Sequence, residues 1–370
     1  MMHCAIVRSL ALVVLLLGAG CTVGPDYRPL GVAVAPAWLE AWSNGTDARP
    51  VDLVRWWTEF NDPILNKLVD RAVNANLDLA VAQARIREAR GQLRAIGAEY
   101  WPTLDVGGSY SNIRTSENAF AAGRVAPQGG SNLQQDLFRT GFDSSWEIDL
   151  FGGTRRRVEA AQAIVDAAVE DRRSVQVTLL GDVAKNYIDV RAFQRRLAIT
   201  QDNLKAQQDF LDLTIVRFNA GLASDLEVAQ AEGQVQTTAA QIPALESALA
   251  TTVYRLDTLV GGQPGLLWNE LSQPAVIPAL PPKAQVGLPV ELLRRRPDIR
   301  RAERQLAAST ALVGAATADL YPKFSLTGAF GLQSISASDW FTGQSRFWSF
   351  GPTITWPVFD AGKIRANIEI

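Results

Sequence analysis

The sequence predicts an α+β membrane protein in which long α-helical hairpins accompany four transmembrane β-strands per protomer. Three observations carry that prediction. Four stretches of about ten residues alternate apolar and polar side chains. Helical spacing of apolar residues continues from Gly153 to about Asn219 without a proline. After the first twenty residues there is no apolar run of the ~18 residues that a transmembrane helix needs. Any membrane span must then be a β-barrel, because only helices and closed barrels satisfy their backbone groups in lipid.

Residues 1–20 read as a lipoprotein signal peptide, with Arg8 in a thin n-region and an apolar stretch from Leu10 to Leu17. Gly18-Ala19-Gly20-Cys21 resembles a bacterial lipoprotein processing site, with Leu17 one place further from the cysteine than the usual pattern. Cys21 is the expected lipidation site, and Thr22 after it favours sorting to the outer membrane. An ordinary secretory signal with an incidental cysteine is the alternative. Residues 21–50, with Pro25, Pro29, Pro36 and Pro50, read as a lipid-anchored extended arm.

Residues 51–260 form a first repeat unit, 261–289 a proline-rich connector and 290–370 a partial second copy. Shifting the chain by 220 aligns Asp78 with Asp298, Ala82 with Ala302, Ala95 with Ala315, Pro102 with Pro322, Gly108 with Gly328 and Tyr110 with Phe330. A shift of 208 aligns Leu150-Phe151 with Val358-Phe359 and Arg157 with Arg365. The first copy continues into helix whereas the second stops at Ile370, so the chain is expected to lack its second long hairpin.

Strands are expected at about 103–113, 137–150, 323–333 and 347–359. In the first, Leu104, Val106 and Tyr110 oppose Thr103, Asp105, Ser109 and Ser111. In the second, Phe138, Phe142, Trp146, Ile148 and Leu150 oppose Arg139, Asp143, Ser145, Glu147 and Asp149. The third and fourth set Phe324, Leu326, Phe330, Trp348, Phe350, Ile354, Trp356 and Val358 against Ser325, Thr327, Ser349 and Thr353. Apolar toward lipid and polar toward a lumen is the barrel pattern; a soluble sheet packed on one face shares it, and the export signal favours the barrel. Asp105, Asp143, Glu147 and Asp149 are the expected lumen-facing acids. Four strands cannot close a barrel, which takes about eight to fill its own interior, so several protomers must contribute. The connectors at 114–136 and 334–346 suit exposed loops.

The helical hairpin is expected over 153–260. Its first helix would reach about 100 Å at 1.5 Å per residue. It breaks at Gly221-Leu222-Ala223-Ser224-Asp225, with Ser224 or Asp225 as N-cap and a kink at Pro243 in the return helix. A helix is also expected over 298–320.

Composition excludes much chemistry. The chain has one His, two Cys and two Met, all at or before Cys21, which removes His triads, His/Cys metal sites and internal disulfides. The net charge of −2 gives no basic field for nucleic acid. Glu147 and Asp149 could form a catalytic carboxylate pair, but an acidic lumen wall is the simpler reading. Arg294-Arg295-Arg296 and Arg300-Arg301 read as a solvated helix start or as ion pairs with Glu291, Asp298 and Glu303. Nothing asks for a cofactor.

The segments CTVGPDYRP at 21–29, FNDPILNKLVDRAVNANLDLAVAQARI at 60–86, SWEIDLFG at 145–152, RFNAGLASDLEVAQAE at 217–232, LLRRRPDIRRAERQLAA at 292–308 and WPVFDAGKIRA at 356–366 resemble the TolC-like outer-membrane efflux lipoproteins, the NodT-type outer-membrane factors. The resemblance implies a homotrimer whose protomers share a 12-stranded barrel continued by a periplasmic α-barrel. It also implies passive export of drugs or other small solutes with a periplasmic adaptor protein and an inner-membrane efflux transporter. It makes Arg217, Phe218, Gly221, Ser224 and Asp225 the adaptor-contacting tip. A pore-less lipid-anchored coiled-coil scaffold, or the outer-membrane channel of a protein secretion system, are the alternative functions.

Overall fold

The computed structural model describes residues 22–29, 31, 53–114, 134–279 and 293–370. The signal peptide, Cys21, nearly all of the arm beyond Arg28, most of the 114–136 connector, Glu291 and the middle of the proline-rich connector lie outside the described residues. The chain divides into two compact units, one of Met1–Leu30, Glu88–Asp166 and Glu303–Ile370, the other of Gly31–Arg87 and Ala167–Ala302.

Helices α1 (Pro63–Ala75) and α2 (Leu77–Gly97) lead to strands β1 (Thr103–Arg114) and β2 (Gln134–Ile148). Helix α3 (Gly153–Asn219), α4 (Asp225–Ala239) and α5 (Gln241–Leu259) follow, then a short α6 (Trp268–Leu271). Helix α7 (Pro297–Ala318), strands β3 (Lys323–Ser334) and β4 (Arg346–Thr355) and helix α8 (Lys363–Glu369) complete the order. No described helix is long and apolar enough to cross a membrane.

Several element ends differ from the expectation. Strand β2 starts three residues earlier and stops at Ile148, so Asp149 and Leu150 lie beyond it. Strand β4 stops at Thr355, which leaves Trp356 and Val358 outside it. Pro243 produces an interruption at Ala240 between two helices rather than a kink within one. Its missing N–H would have bonded to the carbonyl four residues earlier, where α4 ends.

The second unit is built on helix packing. Leu65, Leu68, Val69 and Ala72 of α1 meet Leu179, Val183, Tyr187 and Val190 of α3, and Val253 and Leu256 of α5. Asp62 starts α1: its Oδ1 accepts the amides of Ile64 at 2.8 Å and Leu65 at 3.1 Å, and its Oδ2 accepts the Tyr187 hydroxyl at 2.6 Å. Arg191, 1 % exposed, donates to Tyr187 Oη at 3.3 Å, to Gln194 Oε1 at 2.9 Å and to the Gln273 carbonyl at 2.9 Å. Burial, reinforced by the hydrogen bond to Asp62, pushes the Tyr187 phenol up to about 12. Because the folded value lies above the unfolded one near 10, the stability it contributes is complete below pH 10 and lost as pH rises through 12. Unfolding midpoints measured from pH 9 to 12 should therefore fall more steeply for the native chain than for Tyr187→Phe.

The first unit holds one antiparallel sheet in the order β1-β2-β3-β4. Asp105 stands opposite Asp143, Asp143 opposite Ala329, and Ala329 opposite Ser349. That register gathers one parity of residues on each face.

Candidate functional site: a two-faced sheet and a capped helical turn

One face of the sheet carries Leu104, Val106, Phe142, Trp146, Leu326, Phe330, Trp348, Phe350 and Ile354 in register. Most are open to solvent in the single chain: Val106 is 74 % exposed, Phe330 56 % and Trp348 78 %. Water does not stabilise so large a contiguous apolar surface. The other face carries Thr103, Asp105, Ser109, Ser111, Arg139, Asp143, Ser145, Glu147, Ser325, Thr327, Ser349 and Thr353. Arg139 pairs with Asp143 at 3.1 Å, while Asp105 and Glu147 have no ion pair among the described residues. Phe347 interrupts this polar face opposite Gly331, and Arg139 covers its ring at 4.7 Å from the centroid.

Three of the four expected acids therefore share the polar face, and the fourth does not. Asp149 lies past the strand, where its Oδ2 accepts the backbone N–H of Arg155 at 2.9 Å and the Arg155 guanidinium at 3.4 Å. It anchors the first turn of α3 by accepting a free amide there. Asp360 does the same before α8, accepting from Gly362 at 3.0 Å and Ile364 at 2.8 Å, and those bonds hold its carboxyl below the usual range. The Glu147 and Asp149 carboxylates consequently do not form a pair on one strand.

The turn between α3 and α4 contains Arg217, Phe218, Gly221, Ser224 and Asp225. Gly221 has φ +74, a left-handed backbone that glycine adopts without a Cβ penalty, and its amide donates to the Phe218 carbonyl at 2.9 Å. The Leu222 amide donates to the Arg217 carbonyl at 2.8 Å. Ser224 is the N-cap in a capping box with Glu227, whose Oε2 accepts the Ser224 amide at 2.6 Å. Phe218, Leu222 and Leu226 are exposed around this turn.

Three arginines of the cluster form ion pairs. Arg296 meets Asp298 at 2.6 Å, Arg300 meets buried Glu170 at 3.0 Å, and Arg301 pairs with Asp171. Glu303, an expected partner, instead accepts the Tyr27 hydroxyl at 2.9 Å and lies 3.7 Å from Arg304. Glu170 and Asp171 were not legible as partners, since they lie about 130 residues away in sequence.

A further feature escaped the sequence. The segment Thr22–Arg28 lies along α3 and α7, held by Arg156, whose side chain is 4 % exposed. Arg156 donates to the carbonyls of Val23 at 3.2 Å and Gly24 at 3.3 Å and to Asp26 at 2.7 Å, and it also meets Glu159 at 2.9 Å. Burial opposes its charge, but Asp26 and Glu159 outweigh burial and hold its pKa above the usual value. Gly24, at φ +88, approaches so closely that a Cβ there would stand 2.4 Å from Gly314 Cα.

The family model described as outer membrane efflux protein matches residues 68–262 and 288–370. Nodulation protein T of Rhizobium leguminosarum bv. trifolii is 34 % identical over 361 residues, covering 96 % of this chain and 73 % of that protein. The toluene efflux pump outer membrane protein TtgI of Pseudomonas putida is 34 % identical over 368 residues, covering 98 % and 76 %. Among solved structures, the outer-membrane channel OprN superposes with a TM-score of 0.83 at 37 % identity, covering 94 % of this chain and 76 % of that one. Sheet, helical turn and sequence agree, and the chain belongs to the outer membrane efflux protein family, as an outer-membrane channel component of an efflux system.

Proposed function

We propose that the chain is one third of a homotrimeric exit duct. Its four strands contribute to a 12-stranded barrel in the outer membrane, and its long helices contribute to a periplasmic α-barrel. The observation that carries this reading is the sheet with an open aromatic and aliphatic face on one side and a polar face on the other. Lipid covers the first face and water fills the space beside the second. Drugs or other small solutes pass through passively, and the work is done by an inner-membrane transporter reached through a periplasmic adaptor. Arg217, Phe218, Gly221, Ser224 and Asp225 form the adaptor-contacting tip. A lipid on Cys21 adds a tether at the membrane, and no step is enzymatic. The chain is an internal repeat: α2 and β1 recur as α7 and β3 at an offset of 220.

In this reading Asp105 and Glu147 face the lumen as unpaired acids, and a lumen selects by width and charge. Reconstituted channels should prefer cations in a salt gradient. The double variant Asp105→Lys/Glu147→Lys should move the reversal potential toward anion preference with single-channel conductance retained. An unmoved potential would place these acids outside the conducting path, and the absence of any conductance from the native chain would defeat the duct itself.

A further inference from the structure

The sheet ends on β1 and β4, whose outer edges present unpaired backbone groups that lipid does not tolerate. Resting on the trimeric-barrel reading, we propose the register in which β4 of one protomer pairs with β1 of the next copy: Thr353 opposite Ser109 and Phe350 opposite Asn112.

The register follows from a symmetry between the two hairpins. In the first, Gly107 faces Gly141 and Thr103 faces Ser145. In the second, Thr327 faces Gly351 and Lys323 faces Thr355. Strand β3 thus repeats β1 at an offset of 220, and β4 repeats β2 at an offset of 210. Two side-chain bonds obey the same offsets independently. Trp146 Nε1 donates to the Tyr100 carbonyl at 2.9 Å, and Trp356 Nε1 donates to the Leu320 carbonyl at 3.1 Å.

Neighbouring hairpins within the chain meet through β2 and β3, where Thr140 faces Leu332, Gly141 faces Gly331 and Asp143 faces Ala329. In a closed ring, the hairpin that follows β3–β4 is β1–β2 of the next copy. Applying the two offsets to the observed pairs sets Phe350 opposite Asn112, Gly351 opposite Ser111 and Thr353 opposite Ser109 of that copy. On one face Thr353 then meets Ser109 and Gly351 meets Ser111. On the other, Arg114 comes to stand opposite exposed Trp348, a partner for its charge. A slip of one residue would match opposite faces, so only displacements by two compete.

Cysteine pairs test this in native membranes. Ser109→Cys/Thr353→Cys probes the polar face and Asn112→Cys/Phe350→Cys the apolar face, so that both classes of antiparallel pair are sampled. Under mild oxidation both should give covalent dimers and trimers, about tenfold more than Ser111→Cys/Thr353→Cys, which is displaced by two, or than any single-cysteine variant. The proposal is overturned if the displaced pair links better, if links form within one chain, or if native mass shows trimers that neither pair links. A native mass of monomers alone would instead overturn the trimeric reading, and the proposal with it.

Discussion

Phe330→Arg should abolish the membrane-inserted assembly, whereas Ala329→Arg, one residue away, should leave it largely intact. Phe330 lies on the apolar face, opposite Phe142 on one side and Trp348 on the other. In the proposed barrel an arginine near the middle of a lipid-facing strand costs about 2–4 kcal/mol, and each copy in the ring would add the same cost. Ala329 occupies the polar face between Asp143 and Ser349, where a guanidinium remains hydrated and has a carboxylate beside it. The measurement is heat-modifiable oligomer on gels of outer-membrane fractions. Equal loss from both variants would mean that neither face is wet, and loss from Ala329→Arg alone would mean that the faces are reversed.

The second large effect is expected at Arg191. Arg191→Ala removes one of the largest fully buried side chains, leaves Gln194 Oε1 and the Gln273 carbonyl without this donor, and strips the guanidinium from the Tyr187 ring, 5.0 Å away. The cavity alone accounts for about 2–5 kcal/mol in comparable core truncations, and each buried acceptor left open adds about 1–3 kcal/mol. Arg191→Lys should recover less than half of the loss, because an ammonium cannot reach several acceptors in one plane. Denaturant midpoints followed by circular dichroism would show this. A lysine variant as stable as the native chain would mean that the charge matters and its shape does not.

Much of this architecture is visible in the residues themselves. The strand faces are legible because the period of two is carried by bulky aromatics such as Phe142, Phe330 and Trp348. The turn after α3 is legible because Gly221 and Ser224 carry local chemistry, a left-handed glycine and an N-cap, that depends on nothing distant. Asp149 reads as a strand residue because it continues the two-residue alternation of Asp143, Ser145 and Glu147 past the point where the ladder ends. Beyond Ile148 the Asp149 carboxylate accepts the Arg155 amide in the first turn of α3 instead of continuing the strand. Arg156 could not be singled out because it sits between Arg155 and Arg157. Helix geometry turns consecutive residues to different sides, and only the folded chain shows which of the three is buried.

The segment held by Arg156 also orders events in time. Tyr27 bonds to Glu303 across 276 positions of sequence, and a side chain on Gly24 would strike the backbone of Gly314. Residues near the start of the sequence thus dock only after a helix almost three hundred positions away is in place. Chain closure over such a span costs only slightly more than over a span half as long, so the distance along the chain is a small part of what the contact must overcome. The segment can close only when α3 and α7 have come together, so its docking reports that these two helices are in place.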